Sequence, residues 1–286
     1  IFFRIYFFSP PRMAAQGENK TVTVIHTGLA DYKSIVDALK VCDDGDTVIV
    51  KIGQYDETVV LDKCVHIQGD SEQNTDIRIT GGVVCTTGGS IKGLSVQGLV
   101  DIRSGNVLIE NCDIFSGADG IRVHKDANPT IVKNSIHDAH QGGDGIYFGE
   151  NSKGTVMENE IFNNRMNGVH VNGSEVVVKN NKIYNCPYGV YFRRGGQGLV
   201  ERNDIQNIPS FGVYVTTQAD PVVTGNKIET CGIHCVMIST DGKGTIKDNN
   251  ITGNLTVKRG CNPVVGVNMV TGRIENENIV AAEVPV

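Results

Sequence analysis

The chain lacks several features that would place it in a common class of protein. It has no tryptophan, only 6% aromatic residues and 8 prolines among 286 residues, but 34 glycines. No apolar run is long enough to span a bilayer, so we expect no membrane contact. A formal net charge of −6 leaves no basic surplus for a phosphate backbone, so we expect no nucleic-acid partner.

The cysteines also lack a binding pattern. None of the 8 forms a Cys-x-x-Cys pair, and most stand in apolar runs. This usage predicts reduced, buried thiols in a cytoplasmic or nuclear protein. The cluster Cys231-Gly232-Ile233-His234-Cys235 matches no standard zinc spacing, so we expect neither a metal site nor a cofactor.

A repeat of fixed period occupies residues 120–251. Each unit opens on Gly–apolar–x–apolar and closes on Asn–x–Ile, and the closing isoleucines are 25, 22, 22, 23 and 23 residues apart. Such a period is typical of a solenoid, whose units bury their apolar faces only against their neighbours. The short alternating runs, separated by Gly and Asn, indicate strands rather than helices. The closing asparagines are Asn134, Asn159, Asn181, Asn203, Asn226 and Asn249.

These units predict an all-β fold, a single-stranded parallel β-helix of about ten coils, with 21–25 residues in each coil. The repeated asparagines are expected to form a ladder of hydrogen-bonded amides inside the coils. Asparagine also tolerates the left-handed backbone that such turns need.

We divide the chain into three parts. Residues 1–20 are expected to be a disordered tail or a non-native leader, since Met13 resembles a natural start. Residues 21–280 form the β-helix and 281–286 a short tail. A helix over 31–42, capped by Asp31 and apolar at Ile35 and Leu39, is expected to cover the open N-terminal end of the core.

Three runs in the coils carry a resemblance to a known family. They are NPTIVKNSIHD (128–138), GTVMENEIF (154–162) and GLVERNDI (198–205). They resemble the right-handed parallel β-helix repeats of pectin-lyase-like proteins, most closely those of β-helix-bearing F-box proteins, the substrate receptors of ubiquitin ligases. The resemblance covers about residues 44–256 and implies a right-handed, carbohydrate-binding or sugar-hydrolase-type scaffold. The chain has no recognisable F-box, so any role in ubiquitination is expected to be substrate recognition.

One strip of side chains is the candidate binding site. Alternation along each strand turns the x residue of every Gly–apolar–x–apolar opening outward, and a second outward position lies two residues further on. Tyr, His and Arg at these positions suit a glycan or an extended protein segment, although exposed strands also favour aromatic residues for stacking alone. The predicted binding residues are Arg122, Tyr147, His170, Tyr191, Arg193 and Tyr214.

An alternative site is the turn that makes its coil the longest. Asp138, His140 and Asp144 could supply acid–base chemistry there. The protein would then be a carbohydrate-active enzyme, a glycoside hydrolase or a polysaccharide lyase, with calcium as cofactor in the second case. Neither the aspartate cluster of pectin hydrolases nor the calcium-binding set of the lyases is recognisable. The leading prediction is therefore a non-enzymatic recognition module that binds a protein or a glycan.

Overall fold

The computed structural model describes residues 19–140 and 142–278. The chain winds into successive coils, and each coil contributes one strand to each of three parallel sheets. Nearly all of the predicted tails, 1–20 and 281–286, lie outside the described residues. Within the described part of the chain, no helix combines the length and the apolar composition needed to cross a bilayer.

The three sheets contain 12, 11 and 11 strands. The strands of sheet 1 are Thr21–Val24, Thr47–Val50, His66–Gly69, Ser90–Lys92, Leu108–Glu110, Thr130–Val132, Lys153–Met157, Glu175–Lys179, Gln197–Glu201, Asp220–Thr224, Thr245–Lys247 and Val264–Val265. The strands of sheet 2 are Gly53–Tyr55, Ile77–Ile79, Ser95–Gln97, Asp113–Phe115, Ser135–His137, Glu160–Phe162, Lys182–Tyr184, Asp204–Ile208, Lys227–Cys231, Asn250–Thr252 and Met269–Val270. The strands of sheet 3 are Val59–Leu61, Val83–Cys85, Val100–Ile102, Ile121–Val123, Ile146–Phe148, Asn167–Asn172, Tyr188–Arg193, Phe211–Val215, His234–Ile238, Leu255–Val257 and Ile274–Asn276. A 3₁₀ helix spans Asn74–Asp76.

The predicted parallel β-helix is confirmed, with slightly more coils than the ten predicted. The additional rungs lie at the two ends, where Thr21–Val24 pairs with Thr47–Val50 and Val264–Val265 pairs with Thr245–Lys247. Neither end carries the Asn–x–Ile signature, so a coil count based on the repeat does not include these terminal rungs.

The core is a stack of β-branched side chains at equivalent positions of the coils. The closing isoleucines pair in register along sheet 2, from Ile136 to Ile251, and all are fully buried. Burying one such side chain stabilises the fold by about 1.5–3 kcal/mol. Each isoleucine is covered by the coils on either side, so the stabilisation depends on the stacking.

The predicted N-terminal helix is present, but it is shorter and is capped differently. It spans Ile35–Val41 rather than 31–42, and Ser34 is its N-cap. The Glu57 carboxylate accepts hydrogen bonds from the backbone N–H of Ile35 (3.1 Å) and Val36 (2.9 Å). Asp31 does not cap the helix, because its carboxylate accepts from the backbone N–H of Thr23 instead. Glu57 belongs to a later coil, so sequence spacing could not indicate these additional hydrogen bonds at the helix N-terminus.

The asparagine ladder is confirmed. Asn181 shows the pattern: its Nδ2 donates to Asn203 Oδ1 (3.0 Å) and to the Val156 carbonyl (2.9 Å). Its Oδ1 accepts from the backbone N–H (2.9 Å) and Nδ2 (3.0 Å) of Asn159. The ladder continues past the repeat to Asn268, which accepts from Asn249 Nδ2 at 2.9 Å. Every ladder amide therefore satisfies buried backbone groups on its neighbours.

The left-handed backbone at these turns does not belong to the ladder asparagines. It belongs to the residue before each one, as at Lys133 (φ 57°), Glu158 (φ 57°) and Arg202 (φ 53°). The second reason given above for the repeated asparagine is therefore wrong. The position requires an amide that reaches the next coil, and the turn residue beside it varies.

A stack of flat side chains covers part of the outer face of sheet 2. His137 lies between Phe115 (5.6 Å, 6° between planes) and Phe162 (4.8 Å, 13°), and Phe162 stacks on Tyr184 (5.0 Å, 4°). We call these four residues the outer stack. Stacked rings at equivalent positions of adjacent coils stabilise a parallel sheet.

Two carboxylates favour the protonated form of His137 within the outer stack. Its Nε2 lies 3.0 Å from Asp113 Oδ1, and its Nδ1 lies 2.7 Å from Asp138 Oδ2. An ionised carboxylate only accepts, so both contacts are hydrogen bonds only when the imidazole carries two protons. The hydrogen bond to Asp113 is the main cause that raises the pKa of His137.

We expect Asn181→Ala to lower the free energy of unfolding by at least about 2 kcal/mol, because it leaves several buried backbone and amide groups without partners. Chemical denaturation measures the change. The matched control is Asn250→Ala, since Asn250 is exposed beside the ladder. Equal losses for the two variants would contradict a structural role for the ladder.

We expect the stabilisation by His137 to depend on pH. Its pKa is raised above the unfolded value of about 6.5, so its contribution is complete below that pH and is lost as the pH rises through the raised pKa. The difference in unfolding free energy between wild type and His137→Gln should be larger at about pH 6 than at about pH 9.

Urea denaturation at the two pH values measures this difference. His140→Gln is the control, because His140 lies on the exposed turn that follows. If the difference in unfolding free energy between wild type and His137→Gln is the same at both pH values, His137 is not stabilised in its protonated form.

Candidate functional site

A groove on the outer face of sheet 3 collects the predicted strip. Its volume is about 660 Å³. All six predicted binding residues line it: Arg122, Tyr147, His170, Tyr191, Arg193 and Tyr214. The x residues pair in register on successive strands, as alternation predicted. The structure therefore brings the whole strip together in one place.

A second row of side chains, of which the sequence analysis named only Asp144, forms the other side of the groove. It begins with Asp119, Asp144, Asn167 and Tyr188. Each of these residues stands immediately before an opening glycine, two positions ahead of a core residue. The position immediately before each opening glycine is the sequence feature from which this row could have been predicted.

The opening glycines allow this second row to form. A Cβ on Gly168 would lie 2.7 Å from the Gly189 carbonyl oxygen and 2.5 Å from Ile183 Cγ2. Only glycine lets adjacent coils approach this closely. The strand therefore begins at Asn167, which pairs in register with Tyr188 beside the strip.

One end of the groove is an aromatic platform. Tyr191 and Tyr214 stack at 4.9 Å with 8° between their planes. Tyr188 lies 5.8 Å from Tyr191, and Phe211 lies 4.9 Å from Tyr214, measured between ring centroids. Burial raises the pKa of Tyr191, so its hydroxyl stays protonated at neutral pH and can donate a hydrogen bond. We call these four residues the aromatic platform.

The other end of the groove is polar and holds two buried carboxylates on adjacent coils. Asp119 Oδ2 accepts from Arg122 Nε (2.8 Å) and Nη2 (2.7 Å), and its Oδ1 accepts from the Asp144 backbone N–H (2.9 Å). Asp144 Oδ1 accepts from Asn167 N–H (3.0 Å), and Asp144 Oδ2 accepts from His170 Nδ1 (2.8 Å). All four carboxylate oxygens therefore already have protein donors.

Several buried polar atoms in or beside the groove lack such partners. Among residues 19–140 and 142–278, no partner is found for Asn167 Oδ1, His170 Nε2, Asn172 Oδ1 or Arg193 Nε. Because Asp144 accepts from His170 Nδ1, the Nδ1–H tautomer of the ring leaves Nε2 as an acceptor. Buried polar atoms without partners are rare in folded proteins and call for an explanation.

The alternative catalytic residues do not come together. Asp144 lies in the groove, but the Asp138 carboxylate binds His137 on the outer face of sheet 2. His140 is exposed on the turn between them. The structure therefore places Asp138 and Asp144 on the faces of different sheets, and an acid–base site formed by these residues stays a prediction.

The described residues offer little for a metal ion. Within them, no group of three or more His, Cys, Asp or Glu side chains is placed to hold one. All eight cysteines are free thiols, and six of them are buried. In Cys231-Gly232-Ile233-His234-Cys235, Cys235 Sγ donates to the Thr252 carbonyl at 3.3 Å, a packing contact.

Comparison with known proteins finds one matching family and several structures of similar fold. The family described as right handed beta helix region matches residues 63–143 and 139–277. The crystal structure of pectate lyase Pel9A is 12% identical, with a TM-score of 0.52, over 93% of this chain and 82% of that chain. Such low identity shows the fold alone. No curated protein sequence matches the chain significantly.

Two further structures are more distant. The Dettilon tailspike protein is 14% identical with a TM-score of 0.48, over 79% of this chain and 62% of that chain, so this chain spans less than two thirds of the tailspike. A pectin methylesterase mutant in complex with a hexasaccharide is 10% identical with a TM-score of 0.39, over 88% of this chain and 80% of that chain.

Proposed function

The chain belongs to the right-handed β-helix family, and we propose that its groove on sheet 3 binds a glycan laid along successive coils. The observation that carries this proposal is the convergence of all six strip residues with the second row in one groove. Coils stack about 4.8 Å apart, so an extended chain parallel to the axis would meet an equivalent pair of side chains at each coil.

The composition of the groove favours a glycan over a protein segment. Sugar rings have apolar faces that stack on aromatic side chains and hydroxyl edges that need hydrogen-bond partners. The aromatic platform offers the first, and the buried atoms of Asn167, His170 and Arg193 offer the second. Pectate lyase Pel9A, which shares the fold, is also named for a polysaccharide substrate.

The state of the carboxylates favours binding over catalysis. Glycoside hydrolysis needs one carboxyl group that donates a proton and another that attacks or activates water. In this groove the oxygens of Asp119 and Asp144 are occupied by Arg122, His170 and backbone donors. Both side chains line the groove, but their oxygens already hold neighbouring donors in place.

We expect the double variant Tyr191→Ser, Tyr214→Ser to lose binding by at least about tenfold, because it removes the stacked pair at the centre of the platform. A glycan array identifies the ligand, and isothermal titration calorimetry of that glycan measures the change.

The matched control is the double variant Phe162→Ser, Tyr184→Ser, which removes two stacked rings from the outer stack on sheet 2. It should bind the glycan as wild type does. Equal loss in both double variants would show a general effect on folding, and unchanged binding in the groove variant would refute the proposed site.

A carbohydrate-active enzyme is the second candidate. It is favoured by one observation, the presence of Asp119 and Asp144 on adjacent coils beside Tyr147. We expect no cleavage when acidic polysaccharides are incubated with the protein, with and without calcium, and assayed for new reducing ends. Cleavage by the wild type that is lost in Asp144→Asn would replace the binding proposal with this one.

Substrate recognition for ubiquitination stays a prediction. It was implied by the resemblance to β-helix-bearing F-box proteins, and the family match concerns the β-helix region only. The groove residues would then contact a protein, and the same tyrosine variants would weaken that contact.

A further inference from the structure

We propose that the polar end of the groove recognises sugar hydroxyls, so that the ligand is a neutral glycan rather than a polyuronate. This inference rests on the proposed glycan-binding function and specifies its ligand class. It follows from the unpartnered acceptors, from the charge balance of the groove and from the position of Tyr147.

The unpartnered atoms on the strand Asn167–Asn172 are acceptors. They are the amide oxygens of Asn167 and Asn172 and the Nε2 of His170. Asn167 and Asn172 are 3% and 7% exposed, so water does not readily replace a missing donor. A hydroxyl group can donate to these atoms, whereas a carboxylate cannot. Leaving one such atom without a donor costs about 1–3 kcal/mol.

The next strand supplies the complementary donor. Arg193 pairs in register with Asn172, and its buried Nε has no acceptor among the residues that the structure describes. A hydroxyl oxygen accepts from such a donor while its proton is donated elsewhere. Acceptors on one coil and a donor on the next therefore match a ligand whose polar groups do both.

The charges in the groove do not favour a polyanion. The carboxylates of Asp119 and Asp144 are balanced by the guanidinium groups of Arg122 and Arg193, so no cationic surplus remains. The protein as a whole carries a formal charge of −6. A uronate carboxylate beside the buried Asp144 would meet like charge in a region of low dielectric constant.

Tyr147 controls access to the acceptors. Its ring lies edge-on against His170 at 5.1 Å, and its hydroxyl accepts from Asn172 Nδ2 at 2.9 Å. The side chain is half-buried and lines the groove. In the proposed complex it rotates about χ1 and gives the ligand access to both neighbours. The ligand would take over the contact that Tyr147 makes with Asn172.

The first test compares neutral and acidic oligosaccharides of equal length. Gluco-, manno-, galacto- and xylohexaose and hexagalacturonate are titrated into the full chain by isothermal titration calorimetry at low and high salt. We expect at least one neutral hexasaccharide to bind at least tenfold more tightly than hexagalacturonate, with little dependence on salt. Tighter binding of hexagalacturonate would overturn this inference and leave the glycan proposal standing. Binding of none of them would count against both.

The second test isolates the His170 acceptor. His170→Phe keeps a ring between Tyr147 and Tyr191 but removes Nε2, and we expect about a tenfold loss of affinity for the neutral hexasaccharide. His170→Gln can donate to Asp144 and still offer an acceptor, so it should recover most of the affinity.

The matched control is His234→Phe, which keeps a ring beside Phe211 (5.9 Å) but lies outside the groove lining. It should bind as wild type does. Wild-type affinity in His170→Phe would refute the recognition of hydroxyls by Nε2. An equal loss in His170→Phe and His170→Gln, with the preference for neutral sugars unchanged, would assign His170 a structural role only and would overturn the inference at this residue.

Discussion

Hydrogen bonding from one coil to the next is the constraint on which the rest of this structure depends. A single coil has short strands and too few apolar side chains to fold alone, so its backbone groups and its core residues are satisfied only by its neighbours. The ladder from Asn134 to Asn268 applies this constraint at one corner of every coil it crosses, because each amide bonds both to the next amide and to backbone groups. The coils are thereby held in register.

The same register determines the groove. Once the closing isoleucines are stacked inside, the x residues of the next sheet are stacked outside at the same spacing, and Tyr191 lies directly over Tyr214. The opening glycines add the second row by allowing close contact between coils. The predicted binding residues and the scaffold residues therefore alternate along each strand, and a change to the ladder would displace both.

At the polar end of the groove, both carboxylates are engaged by donors of the protein itself. Asp119 positions Arg122, and Asp144 orients His170 so that its second nitrogen accepts. The resulting surface combines aromatic faces with hydrogen-bonding atoms and carries no net charge. These are the properties that recognition of a neutral sugar chain requires.

The sequence alone determined the coil architecture, the amide ladder and the outward direction of the six strip residues, because each follows from a period or an alternation along the chain. The structure decided which residues meet across coils: Glu57 at the helix N-terminus, Asp113 at His137, and Asp144 at His170. The last two partners are 26 residues apart, and Asp119 and Asp144 are 25 apart. Such contacts depend on the lengths of the turns between sheets, which follow no rule of local spacing. Only the tertiary structure therefore decided that the strip has a second row and that the carboxylates of this row accept hydrogen bonds from the protein itself.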